Sequence, residues 1–441
     1  MSSSLALGSL VLLAIVLHLI ALRPGAGTWG FWSGLLLLSG HSTFRGNSEA
    51  AIGLRFGGLV VAVAFVLVSL RRAGKSQAGA LAPDAPTRPG PPADIRMLLL
   101  AGTLLYGLAT VMDDFAPLTV VTGLAFVVAV LTLAGINRSG QAAQFVNGYA
   151  AATMATLVVS LVLMLARPSV ALVGGRLQGF FVSANTLGFF AALWLLHAMT
   201  TRRLGPRTAL LSVLPLAALV LSGNRSSAAA LATAFLVFVF MVLHTADAAR
   251  ARRLVVLAAI AGTVAYLWAW DTMSALLRTN NSRQGGLDYA LHDSDLKWLG
   301  GMGYNQSPVE LASTPLRWLA EEGRIAALLC LLTYAVVLLV GQHAGASVTA
   351  CAVFGIFSSL FEGWYFAGVS ALFVSFWLVV LAAHNTTADA VRVGAALSPA
   401  DTGDERDRPG DPRRGSALPG TAQPRARVGR GRNHAPALLR R

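Results

Sequence analysis

Apolar runs of about 17 to 21 residues recur along most of this chain, the length a helix needs to cross roughly 30 Å of hydrocarbon. Lipid is then the solvent the chain folds against, where only helices or closed barrels satisfy every backbone polar group. Composition agrees. Of 441 residues, 55% are hydrophobic and 12% charged, with a mean hydropathy of +0.64; an ordinary soluble domain carries roughly 25% charged residues. The runs predict an all-α polytopic membrane protein of about twelve spans, centred on Leu12, Ala62, Leu105, Ala125, Thr156, Phe189, Pro215, Ala234, Ala261, Leu332, Phe354 and Phe373. The stretch "GTWGFWSGLLLLSG", from Gly27, is short and Gly-rich and reads as re-entrant or interfacial. The run from Leu5 to Leu22 lacks the basic start of a signal peptide and reads as a retained first helix. Cys330 and Cys351 both fall inside apolar runs, which argues against a disulfide framework or a Cys-based zinc site.

The net charge of +14 would suit a nucleic-acid partner, but its placement does not. Eight arginines and no acid lie between Pro412 and Arg441, more than half of the excess. Other basic residues gather in three loops: Arg71, Arg72, Lys75, Arg88 and Arg96; Arg202, Arg203 and Arg207; Arg250, Arg252 and Arg253. Alternating the spans puts all three loops and the tail on one side, which the positive-inside rule makes cytoplasmic, with both termini there. Residues 1–383 form the transmembrane domain. Within it lie a Pro-rich cytoplasmic linker at about 71–96 and an outer loop or cap at about 271–323. Residues 384–441 read as a basic disordered tail. That tail anchors topology or touches anionic headgroups, at about 1 kcal/mol per basic residue near the surface. No internal repeat is visible, which argues against inverted-repeat transporters.

Three arginines fall on the outer side, where that rule does not explain them: Arg176, Arg225 in "LSGNRSSAAALA", and Arg283 in "NNSRQGGLDYAL". One reading is snorkelling to the headgroups. The other is anion capture, since guanidinium forks grip phosphate oxygens in bidentate fashion at any relevant pH. The residues after Arg225 open a helix, whose N–H groups add to the field. Asn185 follows Arg176 by about two and a half turns of the same span, as a helix–helix hydrogen bond or a polar contact lining a cavity.

Five stretches in order resemble blocks of the O-antigen ligase and O-antigen polymerase-like family of integral membrane glycosyltransferases. They are "RLQGFFVSANTLGFFAAL", "SGNRSSAAALA", "SRQGGLDYALHDSDLKWLGGMGYN", "WLAEEGRIAALLCLL" and "SLFEGWYFAG", spanning Arg176 to Leu381. The resemblance implies transfer of a glycan from an undecaprenyl-pyrophosphate-type donor to an acceptor hydroxyl on the outer face of the bacterial cytoplasmic membrane, without metal or cofactor. The partners would be a lipid-linked oligosaccharide donor, a glycan or lipid-glycan acceptor and membrane lipid, with no nucleic acid. Arg176, Arg225 and Arg283 would bind the pyrophosphate. Ala312 and Ser313 stand where ligases of the family carry a His-Asn pair, so the resemblance leans to a polymerase or a divergent ligase.

An acceptor hydroxyl must lose its proton, which a positioned base speeds by roughly 10² to 10⁴. Outer-loop candidates are Glu310, Glu321, Glu322, Asp288 and His292. Glu310 lies nearest the missing histidine and Glu321 in the family's Leu-Ala-Glu–x–Gly register, so these two are preferred. "HDSD", from His292, offers a metal reading, and Asp113-Asp114 a different polyprenyl-phosphate-sugar glycosyltransferase. A transporter or flippase of lipid-linked sugars is the remaining alternative.

Overall fold

A computed structural model describes residues 3–22, 24–42, 48–77, 92–113, 115–201, 205–245, 298–300, 302, 313–366 and 370–397. Outside these fall the span expected at Ala261, most of the 271–323 stretch, the 78–91 part of the linker and the tail beyond Leu397. So do the candidates Arg283, Glu310, Asp288, His292, Asp114, Ala312 and "HDSD".

The described residues are helical almost throughout. In order come α1 (Ser3–Leu22), α2 (Ala26–Ser39), α3 (Ser48–Gln77), α4 (Ala93–Met112), α5 (Pro117–Arg138), α6 (Ala142–Ala166) and the single turn α7 (Pro168–Ala171). A two-stranded hairpin follows, β1 (Leu172–Val173) and β2 (Arg176–Leu177), then α8 (Ala184–Thr201), α9 (Pro206–Ser222) and α10 (Arg225–Thr245). After the undescribed stretch come α11 (Thr314–Glu322), α12 (Arg324–Ala344), α13 (Ala346–Ser359) and α14 (Ala371–Leu397). Pro117, Pro168 and Pro206 each open a helix, where the missing N–H costs nothing. Among the described residues, six helices are long and apolar enough to cross a membrane: α3, α4, α5, α6, α10 and α12, with mean hydropathies of 1.7 to 2.3. Large apolar side chains remain exposed on their outer faces, Leu124 and Leu165 among them. That is expected of an all-α, multi-pass membrane protein whose outer faces meet lipid.

Hydrogen bonds sort the helix ends into two sets. At one end, Val182 N–H donates to His41 O (2.8 Å), Phe180 N–H to Ser160 Oγ (3.0 Å), Ala371 N–H to His41 Nε2 (3.3 Å) and Tyr106 Oη to Phe366 O (2.8 Å). This end gathers the close of α2, α4, α6 and α9 with the start of α8, α10 and α14. At the far end, Asp94 near the start of α4 meets His384 in α14 (Oδ2 to Nε2, 2.8 Å), and Ser347 Oγ of α13 donates to Thr200 O of α8 (3.1 Å). The arginine-rich connections after α3 and α8 therefore leave the bundle at one end, as alternation predicts.

One expectation narrows. "GTWGFWSGLLLLSG" is not interfacial: α2 is a core helix, with Trp29, Leu37 and Leu38 buried. Small residues let it press against its neighbours. A methyl group on Gly148 of α6 would collide with the Gly27 carbonyl, and one on Gly30 with the Phe145 carbonyl. Backbones this close gain dispersion and Cα–H···O contacts that larger side chains would forbid. The near pairs advance together, Gly27 with Gln144 and Gly34 with Ala152, so α2 runs parallel to α6. Helix α14 runs on past His384, to Leu397. His384 is engaged by the buried Asp94 carboxylate, and the residues after it are mostly compatible with a helix. Residues up to Val393 form one compact unit, and the last turn of α14 is the described part of the next.

Candidate functional site

Arg176 belongs to the hairpin, not to a helix. Gly174 and Gly175 take positive φ (58° and 75°) in a two-residue turn, pairing Val173 with Arg176. The chain bends again at Gly179 (φ 56°), whose α-carbon abuts Ser160. Helix α8 starts only at Ala184, with the Ser183 hydroxyl accepting from Thr186 N–H (3.1 Å). Asn185 therefore lies in the first turn of α8, not two and a half turns inside a helix shared with Arg176. The correction brings the two together: Arg176 Nη2 donates to Asn185 Oδ1 at 2.7 Å.

The same guanidinium closes α9. Nε donates to Ser222 O (2.8 Å) and Nη2 to Gly223 O (3.3 Å), where Gly223 turns left-handed at φ 57°. A cation on the final carbonyls satisfies otherwise orphaned acceptors and suits the negative end of the helix dipole. Asn224 then caps α10. Its Oδ1 accepts from Ser227 N–H (3.2 Å) and Ser226 Oγ (2.8 Å), while its Nδ2 donates to Asn185 O (2.7 Å) and Ser227 Oγ (2.8 Å). Such a cap contributes about 1 kcal/mol. Gly188 leaves room for it, since a methyl group there would strike Asn224 and Ser222. Arg225, the first residue of α10, is exposed beside this network.

A second polar cluster lies at the same end, around α11. Glu321 is buried, and both its carboxylate oxygens accept from Arg317 Nε (3.1 Å each), one turn earlier. That pairing ties one of the two preferred base candidates to a cation. Its neighbour Glu322 is fully buried, and neither carboxylate oxygen has a hydrogen-bond partner among the described residues. An unsatisfied buried polar group costs roughly 1 to 3 kcal/mol, more if charged. Burial first, then the negative charges of Asp113 and Glu321, push the Glu322 carboxyl up to about 8 from its ordinary 4.5. Asp113 is held by Thr119 Oγ1 (2.8 Å), beside Phe115 at the uncommon φ of 60°. Gly323, at φ 98° and ψ −176°, breaks the chain between α11 and α12.

The folded protein grips the Glu322 proton more tightly than the unfolded chain does. The stability this contributes is complete below about pH 4.5 and declines as pH rises through about 8. Glu322→Gln is expected to remove that decline. Thermal unfolding in detergent from pH 5 to 9 checks it: the variant's curve should fall less steeply than the wild type's.

The "SLFEGWYFAG" block lies between the two clusters. Thr314 Oγ1 donates to Glu362 O (3.0 Å), fastening the start of α11 to it. Trp364 meets Phe189 of α8 edge to face at 5.0 Å, next to Gly188. Tyr106 stands edge-on to Trp318 of α11 at 5.6 Å. The structure thus brings together Arg176, Asn185 and Arg225, and places Glu321 at the same end; Arg283 and Glu310 lie outside the described residues. Among the described residues, no three His, Cys, Asp or Glu side chains converge to hold a metal. Motif register favours Glu321; both carboxyls are buried, and the Arg317 pairing of Glu321 separates it from Glu322. Neither a protein-family model nor a curated protein matches the chain.

Proposed function

We propose that this protein is a membrane ligase or polymerase that transfers a glycan from an undecaprenyl-pyrophosphate-type donor to an acceptor hydroxyl. The reaction serves cell-surface polysaccharide assembly at the outer face of the bacterial cytoplasmic membrane. The observation that carries the reading is the convergence of two arginine-bearing blocks. Arg176 and Arg225 are far apart in sequence, yet both meet the Ser222–Asn224 turn, at the end opposite the basic connections. Those connections favour the cytoplasm, which turns the arginine end outward. Arg225 opens a helix whose dipole favours an anion. Charge growing on the departing pyrophosphate is stabilised by such fixed donors, at about 3 to 4 kcal/mol each in comparable sites. Arg283 joins them by its place in the resembling blocks.

The test is the full chain in proteoliposomes, given a synthetic polyprenyl-pyrophosphate oligosaccharide and acceptor glycan. Cleavage of the glycosyl–phosphate bond with product growth is expected, unaffected by chelator, and the product ladder separates one-block ligation from polymerisation. Donor crossing the bilayer uncleaved would instead identify a flippase.

A further inference from the structure

We propose that Glu322, rather than Glu321 or Glu310, is the general base that takes the proton from the acceptor hydroxyl. The assignment rests on the transfer reaction proposed above. Three geometric facts separate Glu322 from every other described acid at this end. Its side chain is wholly buried and neither oxygen has a hydrogen-bond partner among the described residues, whereas Glu321 is engaged by Arg317, Asp113 by Thr119, and Glu362 is only partly buried. It is the last residue of α11, where the helix dipole opposes a carboxylate. It abuts the Gly323 break, across which Ile325 N–H reaches Trp298 O and Met302 N–H reaches Ala320 O, both at 3.2 Å.

Among the described residues, the charged groups around it are few. Asp113 at the end of α4 and Glu321 on its own helix act on it directly. Arg317 is occupied with Glu321, and the Arg324 guanidinium that opens α12 lies 5.4 Å from the Trp298 ring centre. No described cation is paired with Glu322, so its carboxyl holds a proton at neutral pH and becomes a strong acceptor once ionised.

The step balances. The acceptor oxygen forms the new bond to the anomeric carbon while the bond to the pyrophosphate breaks, and its electron pair leaves with the diphosphate. The hydroxyl proton passes to the Glu322 carboxylate and later to solvent. Because the base must be ionised, rate should rise with pH through about 8.

The experiment compares wild type, Glu322→Gln, Glu322→Asp and Glu321→Gln in proteoliposomes with the synthetic donor and acceptor, from pH 6 to 9.5. Glu322→Gln should lose transfer about a hundredfold or more, keep donor binding and lose the rise near pH 8. Glu322→Asp should restore part of the rate with a displaced rise, which serves if the glutamine variant folds poorly. Glu321→Gln should keep a pH-dependent rise, displaced to lower pH, because it removes one of the negative charges that raise the Glu322 carboxyl. Glu322→Gln with wild-type rate and profile, or with reduced rate but the rise intact, overturns the assignment. A wild type that cleaves no donor at any pH overturns the proposed function itself, a distinct outcome that takes this assignment with it.

Discussion

Arg225→Ala is expected to abolish glycan transfer, by about a hundred- to a thousandfold, in a protein that still folds and inserts. Its side chain is exposed at the first residue of α10, whose cap is supplied by Asn224. Removing the guanidinium leaves that cap standing. Arg225→Lys keeps the charge but loses the planar fork and should recover only part of the rate. Arg176→Ala should be equally inactive but also less stable, because Ser222 O, Gly223 O and Asn185 Oδ1 lose their donor. Donor cleavage in proteoliposomes, read beside thermal unfolding, separates the two effects. Full activity in both alanine variants would end the diphosphate assignment.

Gly148→Ala should damage the fold more than any other single methyl group. The added carbon would enter the Gly27 carbonyl of α2, and a backbone atom held in a helix cannot rotate away. Overpacking in a core costs roughly 1 to 3 kcal/mol, occasionally more, and this contact belongs at the upper limit. Gly107→Ala in α4 is the matched control. Nothing lies within 4 Å of its added carbon, so it should stabilise by about 0.5 to 1 kcal/mol through the unfolded chain. Yield from membranes and the unfolding temperature of both variants check the pair.

Much of the architecture was legible because lipid imposes a length on every span. A described helix covers each expected centre except Ala261, which lies outside the described residues. α2 escaped because its fourteen residues fall below the spanning length, and its glycines suggested a re-entrant or interfacial segment where they serve packing. The hairpin escaped because two-residue strands have no readable period, although Gly174-Gly175 was a turn signal. Asn185 was misplaced for the same reason. Charge placement singled out Arg176 and Arg225, and the turn at Ser222–Asn224 joins them. Glu321 and Glu322 are chemically identical on paper and both buried; the pairing of Glu321 with Arg317, one turn back, tells them apart. The Asp94–His384 pair spans 290 positions, beyond the reach of any local pattern.

The shortness of α2 bears on how the protein is made. Fourteen residues rise about 21 Å, well short of the roughly 30 Å of acyl chain around them. A helix of that length gains little by entering a bilayer alone, since its ends would meet oil or pull headgroups inward. The backbone groove that receives it is on α6, which emerges from the ribosome only after α3, α4 and α5. Helix α3 meets the opposite side of α2 at once, through Gly58 and the Ser33 hydroxyl, so α2 and α3 can settle as a hairpin whose remaining groove is filled only when the sixth segment arrives.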